Sequence, residues 1–342
     1  MKKLTTAVAL LLGTLGMACG PADPSAAMDA PNSGWEPGSG YGAPKSNSQV
    51  FNGFSLNGFS LNGFSLNGFS LNGTVLNGFS LNGTALSGVA LSGGRFSATQ
   101  GTTLVAGTAL SGTVMDVAVT PSAGALPVPY TLKIDSITLA EGTQDVYLYS
   151  VSYKEAGSLS WQSACVDSAG NPVLAVLLAN HWDSQTGARI DDPSTFTFAC
   201  VNAALGKCVL WGYRPWATAT RCEGSTCSTV SLADYHQACT RLVRADYCGN
   251  GVPYTVDGTL IDIFDDLTPP IQARAAAWGL EARWTPSRAS CMSGARVEDL
   301  IAKGRSPDCN GDGDHKRDFA DCYKVMTPWL ITSTCKDCRV PK

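Results

Sequence analysis

The chain has 342 residues, of which 44% are hydrophobic and 15% charged, with 13 cysteines and a formal charge of −4. That length accommodates one large domain or two ordinary ones. The acidic balance excludes a broad nucleic-acid footprint; a collagen and a multi-span membrane protein are excluded by the lack of a Gly-X-Y period and of long apolar runs.

Lys2 and Lys3 precede an apolar stretch from Ala7 to Ala18, which stops at Cys19. A positive start, a short apolar middle and small residues at the end predict a secretory signal peptide over residues 1–18. The stretch is too short to span a bilayer as a helix. Its removal takes Lys2 and Lys3 away, so the charge goes from −4 to −6. Ala18-Cys19 resembles the cleavage site of bacterial lipoproteins, which implies a lipidated Cys19. Such signals usually carry Leu where Gly16 stands, and Gly16 with Ala18 also fits ordinary cleavage that leaves a periplasmic or secreted protein. Gly20 after the cysteine implies, by the same resemblance, an outer-membrane or cell-surface lipoprotein. Residues 19–50 hold Pro21, Pro24, Pro31, Pro37 and Pro44 among Gly, Ser and Asn, and read as a flexible tether.

From Phe51 the chain repeats FSLNG. Leu recurs at 56, 61, 66, 71, 76, 81, 86 and 91, with Gly two places after each. A period of five fits neither an α-helix nor a strictly alternating strand. Asn-Gly tolerates positive φ, so each repeat can end in a turn. The pattern resembles the pentapeptide-repeat family, which implies a short β-solenoid with Leu56 and its successors inward. Phe54, Phe59, Phe64 and Phe69 stand where that family has small residues, and a low-complexity linker is the competing reading. Without carboxylates this stretch cannot imitate DNA. The repeat segment is placed at residues 51–115.

Residues 116–342 form the last segment. Thr102–Thr120 and Tyr130–Tyr153 look like strands, the latter a hairpin around Glu141-Gly142-Thr143 that sets Leu132 and Ile134 against Val146 and Leu148. Past residue 160 the chain carries Cys165, Cys200, Cys208, Cys222, Cys227, Cys239, Cys248, Cys291, Cys309, Cys322, Cys335 and Cys338. An even number in an exported segment predicts disulfides, with pairing open. An oxidising compartment disfavours zinc or a redox role at Cys222 and Cys227 or at Cys335 and Cys338. Ser231 and Asp234 open a helix whose buried face carries Cys239. Gln272–Leu280, Ala-rich and following Pro269-Pro270, is a second expected helix. The fold class expected is mixed, mainly β with a few short helices (α+β): a solenoid-like repeat followed by a disulfide-rich domain.

The strings FTFACVNAALGKCVLWGYRPW (from Phe196), HQACTRLVRADYCGNG (from His236) and ARWTPSRASC (ending at Cys291) resemble the ADYC domain of exported bacterial proteins, over roughly residues 120–342. Ala245, Asp246, Tyr247 and Cys248 spell its motif. The resemblance implies an exported context and no activity. Read physically, Asp246 and Tyr247 close the helix and Gly249-Asn250-Gly251 turns the chain. Arg241 and Arg244 complement the helix dipole or pair with Asp246, Asp262, Asp265 or Asp266, the alternative being that Arg241, Arg244 and Asp246 face a ligand.

His181, His236 and His315 are the three histidines, and no nucleophile-elbow, zinc-helix or phosphate-loop motif accompanies them. Asp308, Asn310, Asp312 and Asp314, with Gly313 sixth, resemble the start of a calcium loop, although Phe319 stands where the bidentate Glu belongs. An Asp/Asn/Gly turn is the simpler expectation, so no cofactor is expected unless calcium binds here. The function expected is a structural or binding role for a lipid-anchored envelope protein without catalysis. Its partners would be the membrane, through the anchor, and an envelope protein or polysaccharide, with no nucleic acid. The alternative is an extracytoplasmic hydrolase using His181 or His236.

Overall fold

A computed structural model describes residues 45–46, 74–119, 126, 128–155, 157–167, 169–255, 258–296, 307–311, 319–336 and 338. Cys19, the repeats from residue 51 to 73, Asp312, Asp314 and His315 lie outside the described residues. Among the described residues, the chain forms β1 (Lys45–Ser46), β2 (Thr74–Leu81), β3 (Thr84–Ala85), β4 (Ser87–Ser92), β5 (Arg95–Gln100) and β6 (Thr103–Ala106). A 3₁₀ turn at Gly107–Leu110 leads to β7 (Val114–Val119), β8 (Val128–Leu139), β9 (Tyr147–Glu155), β10 (Gln162–Ser163) and β11 (Ala175–Ala179). Then come β12 (His181–Trp182), β13 (Arg189–Ile190), β14 (Thr195–Cys200), α1 (Ala204–Leu210), β15 (Thr218–Glu223) and β16 (Thr226–Ser231). The chain ends in α2 (Leu232–Arg244), β17 (Leu260–Asp265), β18 (Gly279–Trp284), β19 (Ala289–Met292) and β20 (Ile331–Cys335). The fold is mainly β with two α-helices, and no helix of the described residues is long and apolar enough to cross a membrane.

The last repeats run as antiparallel strands. β2 lies between β14 and β7 in a sheet ordered β10-β9-β11-β14-β2-β7-β8, and β8 pairs with β9 as well. The five-residue period serves strands here because Phe and Leu in FSL stand two apart and share one face. Phe79 and Leu81 are accordingly buried, with Leu86, in the core under this sheet. Asn82 and Gly83, both at positive φ, turn β2 into β3. At Asn77-Gly78 the same dipeptide instead falls at a register shift within β2. β4, β5 and β6 form a separate three-stranded sheet. The sequence boundary between Met115 and Asp116 falls inside β7.

The expected strand Thr102–Thr120 is two strands, β6 and β7, divided by the 3₁₀ turn. The β8–β9 hairpin forms where expected with a different register. Leu132 pairs with Tyr153 and Ile134 with Val151, while Leu148 faces Thr138. β9 begins only at Tyr147, after Val146, so Leu132, seven residues back from the end of β8, meets Tyr153 instead.

A second core lies between α2 and the five-stranded sheet β1-β17-β20-β18-β19. The helix starts as its sequence predicts: the Ser231 hydroxyl accepts the Ala233 amide at 3.2 Å. Ile261, Ile263, Ala282, Trp284 and Ile331 supply the sheet's inner face. The expected helix Gln272–Leu280 is absent. The carboxylate of Asp265 takes the Gln272 amide at 2.7 Å, and that of Asp262 takes the amides of Ala275 and Ala276 at 2.9 and 2.8 Å. These carboxylates, on β17, hold the segment's amides along the sheet, and it runs irregular into β18. The twelve cysteines are paired as 165–200, 208–239, 222–227, 248–309, 291–322 and 335–338.

Candidate functional site

The end of α2 uses its polar residues to hold the fold. Ala245 adopts the left-handed conformation (φ 50°, ψ 41°) that stops the helix. The helix therefore closes at Arg244, before Asp246 and Tyr247. Asp246 turns inward, fully buried, and pairs with Arg241 at 2.6 Å while accepting the Gly251 amide at 3.0 Å. Arg241 also donates to the carbonyls of Thr186 and Pro286, and Arg244 to that of Gly251. Every partner is a group of the protein itself, and Arg241, Arg244 and Asp246 are buried, which favours their structural reading over a ligand-facing one. Burial lowers the Arg244 pKa to about 10. Tyr247 is buried, stacks on Trp284 with centroids 5.3 Å apart, and donates to Glu281 at 2.6 Å. Cys248 bonds Cys309.

The histidines do not assemble a catalytic pair among the described residues. His236 is fully buried, with Nε2 3.0 Å from the Leu205 carbonyl. Burial pushes its pKa down to about 4. His181 has Nδ1 3.1 Å from Thr195 Oγ1 and 3.9 Å from Asp192. Hydroxyl and acid thus face the same ring nitrogen, whereas a relay needs one on each.

Asp265 and Asp266 form a second polar cluster. Burial raises both pKa values. Asp265 accepts from Tyr213 at 2.9 Å and from the amides of Leu267, Ile271 and Gln272; Asp266 accepts from Tyr235 at 2.5 Å and pairs with Arg221 at 2.7 Å. These contacts occupy the carboxylates with the fold's own donors. Of the calcium candidates, Asp308 accepts the Gly311 amide at 2.7 Å, the geometry of a turn, and Asn310 is exposed. Among the described residues no group of three or more His, Cys, Asp and Glu is gathered as a metal would require.

Among the described residues, a groove of about 410 Å³ opens on the outer face of the five-stranded sheet. Strand alternation builds its floor. Ile331, Ser333 and Cys335 of β20 point away from it, so Thr332 and Thr334 face it. Thr332 stands between Phe264 of β17 and Arg283 of β18; Thr334 stands between Asp262 and Leu280. Trp329 lies edge-on to Phe264 at 6.1 Å, with the Arg283 guanidinium 6.0 Å from its ring. The Arg274 guanidinium lies over the Phe264 ring at 5.8 Å. The segment from Cys322 to Trp329 arches over the groove and adds Tyr323, Lys324 and Met326. Both of its ends are fixed, at Cys322 by the disulfide to Cys291 and at Leu330 by its amide on the Trp284 carbonyl, 2.9 Å.

Thr332 and Thr334 are buried, and neither hydroxyl oxygen has a hydrogen-bond partner among the described residues. Such groups cost stability unless something else satisfies them. Arg274, Arg283 and Lys324 line the groove without an acid among the lining residues. Asp262 lies beside the floor but is capped by the two amides named above; Asp321 is 3.9 Å from Lys324. Of the lining residues only Cys322 stood out in the sequence, as a disulfide cysteine; the others are spread from 264 to 334 and meet only through the fold. The alternation in ITSTC, with both threonines on one face, was the signal available.

The ADYC domain profile matches residues 107–298, more than half of the chain. β20 and the arching segment follow the matched residues. No curated protein and no solved structure matches the chain. The profile spans the motif at the end of α2 and covers more than half of the chain: the chain belongs to the ADYC domain family.

Proposed function

We propose that this chain is a lipid-anchored protein of the cell envelope whose disulfide-braced domain serves as a binding module. The observation that carries the reading is the groove over Thr332 and Thr334: aromatic rings, three cations and unsatisfied hydroxyls around one opening, the composition of a recognition site. Six disulfides suit an oxidising compartment. The signal-like segment before Cys19 and the proline-rich residues after it supply anchor and tether. The pentapeptide-like repeats that precede β2 are the spacer between tether and domain.

The test joins location and binding. Cells supplied with a fatty-acid analogue should label the wild-type protein and leave Cys19→Ala unlabelled. Envelope polysaccharide, lipid and protein fractions, each added to the purified chain, should raise its melting temperature in at least one case, and Phe264→Ala/Trp329→Ala should lose that rise. An unlabelled wild type removes the anchor. A chain that no fraction stabilises removes the binding role. Envelope substrate turnover abolished by His181→Ala would favour the hydrolase reading instead.

A further inference from the structure

We infer that the groove binds an acidic saccharide, a sugar bearing a carboxylate or sulfate; the inference rests on the binding reading and names its ligand class. Three features of the opening each call for a different part of such a molecule.

Aromatic faces take the apolar C–H faces of sugar rings. Trp329 and Tyr323 offer those faces; Tyr323 is 72% exposed. The Phe264–Trp329 edge contact holds one ring in place, and the Tyr323 hydroxyl is held by the Leu280 amide at 3.3 Å. Rings fixed before binding lose little freedom on binding.

The floor wants hydroxyl partners. Thr332 and Thr334 are 2% and 1% exposed, and their hydroxyls have no partner among the described residues. A purely apolar ligand would leave both oxygens unsatisfied, whereas a polyhydroxylated one can pair with them after a χ1 turn.

The rim is cationic. The Arg274 guanidinium donates to the carbonyls of Ala276 and Trp278 at 3.2 and 3.0 Å, which positions it over Phe264. Arg283 donates to the Val325 carbonyl at 3.2 Å. Neither head is paired with a carboxylate in these contacts, so donors remain for an anion. The acids nearby are Asp262, capped by two amides, and Asp321, at the far reach of Lys324. A neutral sugar would not use these charges.

The test uses the oxidised full-length protein in detergent and two polymers of one backbone: polygalacturonate and its fully methyl-esterified form. Calorimetry should show polygalacturonate binding at least tenfold tighter than the ester, with a loss as salt rises. Arg274→Gln should weaken the acidic polymer alone. Thr332→Val/Thr334→Val should weaken it by about tenfold, while the melting temperature holds or rises, because the lost hydroxyls were buried without partners among the described residues. That pair separates recognition from folding. Equal binding of the ester would overturn the acidic assignment and leave the binding reading in place. Binding of neither polymer would overturn the saccharide assignment, and the fraction-induced melting shift, with its Phe264→Ala/Trp329→Ala control, then decides the binding reading separately. Binding unchanged in the double valine variant would overturn the groove as its location.

Discussion

The Tyr247 hydroxyl donates to Oε1 of Glu281 at 2.6 Å, and Arg296 grips both oxygens of the same carboxylate, Nε to Oε1 at 2.7 Å and Nη2 to Oε2 at 2.9 Å. Arg296 continues to the Leu242 carbonyl at 2.9 Å near the end of α2. All three side chains are buried. The motif tyrosine thus ties helix to sheet through an ion pair that would otherwise be costly.

Tyr247→Phe should keep the stacking on Trp284 and lose only the hydroxyl. It should cost about 1–3 kcal/mol, the penalty for removing one partner of a buried group. Arg296→Met, which strands a buried carboxylate, should cost about 3–5 kcal/mol. Urea unfolding of the oxidised protein measures both; equal costs for the two would refute the ion-pair account.

Gly249 and Gly251 sit at φ 70° and 84°, and a Cβ there would meet the Ser287 carbonyl oxygen at 1.8 Å and the Gln185 carbonyl oxygen at 1.9 Å. Gly142 shares the conformation (φ 72°) with nothing within 4 Å. Gly142→Ala should therefore cost about 1–2 kcal/mol from backbone strain alone. Gly249→Ala and Gly251→Ala should cost clearly more and reduce the yield of folded protein. Chemical denaturation of the three variants side by side checks the ranking.

His236 is neutral when folded at any pH above about 4, against 6.5 for the free side chain. Between those values the unfolded chain binds the extra proton, so stability present above pH 6.5 is lost as the pH falls towards 4. The loss should reach about 2 kcal/mol near pH 5. Asp265 and Asp266 shift upward and oppose it. The difference between wild type and His236→Gln isolates the histidine: it should shrink with acidification, and a pH-independent difference would contradict the burial argument.

Bridges that close longer loops should contribute more. By chain-entropy reasoning, replacing both cysteines of the 248–309 pair or the 208–239 pair should cost about 4 kcal/mol, against about 2 for the 335–338 pair. The sequence separations are 61, 31 and 3. Melting temperatures of the three double-alanine variants should fall in that order.

What the sequence revealed follows the range of the interaction. The start of α2 was legible because Ser231 caps a donor two residues away. The β8–β9 hairpin was legible as a turn, but its register depends on how far each strand extends, which packing decides. Gln272–Leu280 read as a helix because alanine favours one locally, while Asp262 and Asp265, whose carboxylates take its amides, are separated from it by the proline turn. The groove was invisible for the same reason: Phe264, Thr332 and Arg283 form a row only once β17, β20 and β18 are in register.

The 248–309 and 291–322 bridges enclose one common stretch of chain, from residue 292 to 308. A protease that cuts the backbone once anywhere in that stretch releases nothing, since two covalent links still join the pieces. Nicked molecules should migrate as a single chain until thiol is added. This connectivity makes a single cleavage there a survivable injury.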